Sequence, residues 1–75
     1  MQPVKKFNAG AVSVSVWENP KQLNGEERIL QSVSVQRAFK TKDGEWQHSQ
    51  SFRKADLPNL ILATQKAFEY LALKE

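Results

Sequence analysis

The stretch SVSVQRAFKTKDGEWQHSQSFR, residues 32–53, decides the reading of the fold. Two segments of alternating character meet in it at Asp43-Gly44. Asp-Gly between such segments marks a tight hairpin, because the turn needs positive φ and glycine supplies it without steric cost. With Asp43 and Gly44 as the two loop residues, the register follows. Lys42 faces Glu45, Thr41 faces Trp46, Phe39 faces His48, Arg37 faces Gln50 and Val35 faces Phe52. One face of the ribbon then carries Val33, Val35, Arg37, Phe39 and Thr41 with Trp46, His48, Gln50 and Phe52. The other carries Ser32, Ser34, Gln36, Ala38 and Lys40 with Gln47, Ser49, Ser51 and Arg53. A three-residue loop slips every pair by one.

Working outward, residues 7–18 alternate Val12, Val14 and Val16 with Ser13, Ser15 and Trp17. A period of two with β-branched residues on one side predicts a half-buried strand, valines inward and serines outward. Gly10 marks a bulge or a bend. Residues 1–6 read as a loose lead-in with a positive tip at Lys5-Lys6. Residues 18–27 read as an acidic loop holding the turn formers Asn19-Pro20 and Asn24-Gly25. The following strands span about 28–41 and 45–53. Asp56 caps a helix over about 57–73, with Leu57-Pro58 in its first turn, where proline is tolerated. Leu57, Leu60, Ile61, Thr64, Ala67, Phe68 and Leu71 recur at helical spacing and form the stripe expected to cover the sheet. Leu62, Tyr70 and Leu73 fall outside it and are the expected dimer interface. The fold class is α+β: an antiparallel meander of three to four strands packed by one C-terminal helix.

Seventy-five residues make a single domain, 1–75, close to the size at which one core is only just sufficient. Without cysteine there is no disulfide framework and no thiolate metal site, which fits a reducing, cytoplasmic setting. A core this small calls for dense packing or a partner, and homodimerisation is the expected solution. The longest apolar run, residues 60–63, is far too short to span a membrane. Net charge is +3 with a pI near 9.5; this favours encounter with a polyanion without establishing one.

Catalytic machinery is scarce. His48 is the one histidine, and neither a glycine-rich phosphate loop nor a recognisable carboxylate pair is present. The expectation is a protein with no enzymatic activity, no metal, no cofactor and no small-molecule substrate. The polar sheet face says more. Ser13, Ser15, Trp17, Ser34, Gln36, Lys40, Gln47, Ser49 and Arg53 form a platform of small hydroxyls and amides edged by basic residues. In its plain reading this is a solvated sheet face. In its functional reading, small side chains let a nucleic-acid strand lie close, hydroxyls and amides bond phosphates and base edges, and an indole stacks on a base. Arg37, Phe39 and Trp46, at the far end of the other face, either stack on bases or pack against a second subunit.

The order strand, strand, strand, helix resembles the small single-stranded-DNA-binding proteins of the transcriptional positive-cofactor-four and Whirly type. The residues that carry the likeness are Ala11-Val12-Ser13-Val14-Ser15-Val16-Trp17, the hairpin over 40–46, and Asp56-Leu57-Pro58 opening the helix. The resemblance implies helix-paired dimers that bind single strands on exposed sheets. That family has four strands, a number that a break of residues 7–18 at Gly10 restores; it assigns no individual binding residue here. Two functions of different class therefore stand. The first is a dimeric, sequence-tolerant module for single-stranded DNA or RNA. The second is a small protein-interaction or regulatory module of phage or mobile-element type, without nucleic-acid binding. Salt separates them, because phosphate-driven affinity falls steeply with ionic strength.

Overall fold

The computed structural model describes residues 2–73; Met1, where the expected lead-in begins, lies outside them. Gly10 breaks the first predicted strand in two. Its φ of +58° suits the first position of a two-residue hairpin loop, and with Ala11 it joins β1 (Lys5–Ala9) to β2 (Val12–Leu23). Lys5 and Lys6 thus belong to a strand rather than to a loose lead-in. The Val4 N–H extends the ladder by donating to the Val16 carbonyl at 2.8 Å. The fourth strand is the one the break at Gly10 supplies, and the sheet is an antiparallel meander in the order β1-β2-β3-β4.

The expected loop over residues 18–27 is instead the end of a long hairpin. Asn24 and Gly25 both have positive φ, +54° and +81°, as a type I′ turn requires, and they join β2 to β3 (Glu26–Lys40). Proline within β2 is tolerated because β1 pairs only with residues 12–16 of it. Val16 directs its carbonyl toward β1, so Pro20, four residues on, turns its nitrogen to the same, here free, edge.

The hairpin from β3 to β4 (Trp46–Ser49) corrects the predicted register. Lys40 pairs with Trp46, Phe39 with Gln47, Ala38 with His48 and Arg37 with Ser49. The Thr41 N–H donates to the Glu45 carbonyl and the Gly44 N–H to the Thr41 carbonyl, and Gly44 has φ +84°. This is a three-residue loop, Lys42-Asp43-Gly44, with glycine in the left-handed position. Every pair moves by one, and each β4 side chain changes face. The strand is also shorter than expected, ending at Ser49.

After a 3₁₀ turn (Lys54–Asp56), α1 (Leu57–Ala72) lies across β1 and β2. Val12, Val14, Val16, Ala63 and Ala67 are the buried core. Alanine at 63 and 67 lets the helix axis approach the valine row, and Leu60 and Leu71 pack at its margins. Near the helix start, Asn59 lies beside Gly10; near its end, Tyr70 meets Phe7 edge to face at 6.2 Å. The buried stripe is thus rotated from the predicted one. Leu57, Ile61 and Phe68, expected inside, are exposed, because the small side chains, not the largest, face the sheet.

Asp56 sits at the helix N-cap, but its side chain makes no cap bond. Its carboxylate accepts from the Arg53 N–H at 2.8 Å and lies 3.3 Å from Arg37 Nε and 3.5 Å from Arg53 Nε. Arg37 Nε also donates to the Ser51 carbonyl at 3.1 Å. One arginine of β3 thereby ties down the connection into the helix. The Arg53 backbone hydrogen bond is the main cause holding the Asp56 carboxyl below its ordinary value; desolvation opposes it, and the Arg53 and Arg37 charges assist.

Two outcomes follow from these contacts. A folded-state pKa below the unfolded one gives stability that is complete above about pH 4 and is lost as pH falls through the lowered value. Asp56→Asn should therefore lower the Tm at neutral pH, with the gap to the unsubstituted chain closing in acid. Circular-dichroism melts across pH read this, and a gap constant with pH would refute the clamp. Gly44→Val forces a β-branched residue into the left-handed region at a cost of about 1–2 kcal/mol, or about 4–8 °C of Tm per kcal/mol. An unchanged Tm would mean that the turn tolerates any residue there.

Candidate nucleic-acid interface

The pairing registers assign every strand residue to a face. Val12, Val14 and Val16 lie under α1, so Ser13, Ser15, Trp17, Asn19 and Lys21 point away from it. Their partners Gln36, Ser34, Ser32, Leu30 and Arg28 share that open face, as do Lys6 and Asn8 of β1, and Ala38, Lys40, Trp46 and His48 toward β4.

Of the residues singled out from sequence, Ser13, Ser15, Trp17, Ser34, Gln36, Lys40 and Trp46 come together on this face. Trp17 is half-buried and donates from Nε1 to Ser34 Oγ at 3.0 Å, so its indole is held in one pose. Ser13 donates to Asn8 Oδ1 at 2.7 Å. Ser15 is only 7% exposed, so it contributes flatness rather than contact. Trp46 is 67% exposed, and Lys40 opposite it extends over the turn beside Gly44.

The other predicted contacts lie elsewhere. Gln47 and Ser49 turn to the helix side through the one-residue slip, where Phe39 and Arg37 also lie. The Arg37 guanidinium is 5.4 Å from the Phe39 ring and is engaged with Asp56. Arg53 lies in the connection after β4, its exposed guanidinium against Asp56. Leu62, Tyr70 and Leu73 are all exposed on α1 or at its end, Tyr70 with its ring against Phe7.

Lys6, Asn8, Lys21, Arg28 and His48 join the open face although the sequence reading set them aside. Lys6 and Asn8 belong to the strand hidden by the break at Gly10, and Lys21 to the stretch read as loop, for which the two-residue turn Asn24-Gly25 was the available signal. Arg28 opens the strand expected over 28–41 but was not singled out. His48 follows Trp46 through the corrected register.

Charge divides between the faces. The open face carries Lys6, Lys21, Arg28 and Lys40 against one acid among its described strand residues, Glu26. That acid is paired with Arg28 at 3.2 Å. Glu18 and Glu27 lie on the helix side. Trp17 pairs with Ser32 and Trp46 with Lys40, eight residues apart along β3 and on its two opposite sides, so their backbones stand about 28 Å from each other. That span fits on the order of 4–8 nucleotides of a single strand. The site is therefore a basic strip with Trp46 near one end and Trp17 partway along it, Lys21 and Arg28 lying beyond toward the arm tip. No helix among the described residues is long and apolar enough to cross a membrane, and no group of three metal-ligating side chains occurs among them. No protein-family model, no curated protein and no solved structure matches the chain.

Proposed function

We propose that this protein binds single-stranded nucleic acid, single-stranded DNA foremost, along the helix-free face of its sheet and without sequence preference. The observation that carries the reading is the co-facial placement of Trp17 and Trp46 with Lys6, Lys21, Arg28 and Lys40. Bases stack on the two indoles, while Lys6 between them, Lys40 beside Trp46, and Lys21 and Arg28 beyond Trp17 meet phosphates. Ser34, Gln36 and Asn8 supply hydrogen bonds that any base or phosphate accepts. Trp17, already fixed by Ser34, loses little freedom on stacking. Binding needs no cofactor or metal and involves no covalent step, and the absence of cysteine suits a reducing cytoplasm.

Fluorescence-anisotropy titrations with labelled oligo-dT, oligo-rU and a duplex, at two salt concentrations, test this. The single strands should bind more tightly than the duplex and quench tryptophan fluorescence. Stacking is worth about 1–3 kcal/mol per base, so Trp46→Ala and Trp17→Ala should each weaken oligo-dT about tenfold or more with the salt slope nearly intact. Lys40→Gln should flatten the slope by about one phosphate contact. Absence of quenching together with a Kd above about 100 µM at low salt, the weak end of non-specific binding, would overturn the reading and favour a protein-docking module.

A further inference from the structure

The helix side of the sheet is only half covered. Tyr70 faces Phe7 on β1, so the opposite flank of α1, with Leu57, Ile61 and Phe68, overhangs β3. On the same side β3 presents Val33, and Ile29 follows farther out in the arm. Ile61 and Phe68 are 64% and 68% exposed, large values for apolar residues so close to a core, and Ile29 is 64% exposed.

The chain as a whole is under-covered. Its accessible surface is 6087 Å², whereas a folded monomer of 8.6 kDa exposes about 4,700 Å². Its radius of gyration is 15.1 Å against about 11 Å for a compact chain of this length. The excess surface, about 1,400 Å², exceeds the roughly 800 Å² that each partner buries in a standard interface. Part of it belongs to the hairpin arm, residues 17–32, where β2 and β3 run on beyond β1 and α1.

We infer that a second copy of this chain closes the trough between α1 and β3 in an antiparallel two-fold pairing. The deficit is intrinsic to the chain, so its cover must be as abundant as the chain itself. The wall formed by Leu57, Ile61, Thr64 and Phe68 carries no charge, and an uncharged apolar surface can meet itself across a two-fold axis. The ends of the chain fix the direction. The arm bears Glu18 and Glu27 on its helix side. The start of α1, at the opposite end beside Gly10, is preceded by the exposed Arg53 and Lys54. Antiparallel pairing lays each acidic arm on the other copy's basic end, whereas parallel pairing brings like charges together. Both open faces point outward, so the pairing is independent of the nucleic-acid reading.

Sedimentation equilibrium at 1–100 µM tests it. The chain should sediment at twice its monomer mass. Phe68→Lys and Ile61→Lys, at exposed positions, should weaken association at least tenfold while the circular-dichroism spectrum is retained. Glu27→Lys and Lys54→Glu should each weaken it severalfold, and the double variant should recover. A monomer at 100 µM that melts cooperatively, or a closed assembly larger than a dimer, overturns the inference. A dimer unaffected by Phe68→Lys and Ile61→Lys overturns the surface, and failure of the double variant to recover overturns the antiparallel direction. Oligo-dT affinity per chain should be unchanged in Phe68→Lys, so that loss of pairing and loss of nucleic-acid binding read out separately.

Discussion

The contact of three valines with two alanines fixes everything else in this molecule. Val12, Val14 and Val16 are the largest fully buried side chains, and Ala63 and Ala67 meet them from the helix. Each fully buried valine contributes about 1.5–3 kcal/mol, so the core holds little surplus over the entropy of ordering the chain. Because the row has a period of two, seating it under the helix forces Ser13, Ser15 and Trp17 to the other side. Through strict antiparallel pairing it likewise orients β3 and, after the turn, β4. The helix connection is held to the same frame by Arg37, whose guanidinium reaches both Asp56 and the Ser51 carbonyl. Most of its hydration is lost there, since its side chain is only 13% exposed, and the paired carboxylate and carbonyl compensate for that loss.

The architecture was legible in the sequence because its strongest signals are local. The alternation over residues 12–17, the spacing over 57–71 and the glycine-bearing turns each specify an element without reference to anything distant. What was not legible depended on details of one residue. Asp43-Gly44 suits both a two-residue loop and a three-residue loop with glycine last. Local sequence weighs them almost equally, and the choice inverts the face of every β4 side chain. The helix phase failed for a different reason. Hydrophobic size favoured Leu57, Ile61 and Phe68 as the inward stripe, whereas packing against flat β-branched rows favours alanine, which brings the backbones close. The candidate site inherited the register error. Trp46 and His48 moved onto the basic face and Gln47 and Ser49 off it, while Arg37 and Phe39 stayed on the other face, as expected.

Those corrections sharpen the functional picture. The sequence placed the two tryptophans on opposite faces, an arrangement in which one strand of nucleic acid reaches only one of them. The three-residue loop puts them on the same face of a strip whose cations outnumber its acids. Charge segregation between the faces matters more than the modest net value of +3. Field at a surface is set by nearby groups within a Debye length of about 8–10 Å, and the carboxylates of Glu18 and Glu27 lie across the thickness of the sheet.

The two faces of one sheet thus carry separate demands, and the turn at Gly44 is where they meet. Serines and a buffered indole suit a surface that must stay wet when empty: Ser34 satisfies the Trp17 N–H, and the near-burial of Ser15 leaves no polar ridge to hold a ligand away. The helix side carries the exposed apolar side chains of Ile29, Ile61 and Phe68. A residue added to or removed from the loop over 42–44 would leave the core untouched, since none of its five members lies beyond β2 or outside α1. It would nevertheless carry Trp46 from the wet face to the apolar one. Stability and candidate function are therefore encoded in different parts of the chain: the valine row and helix hold the fold, and the handedness of one glycine decides which aromatic is offered to a ligand.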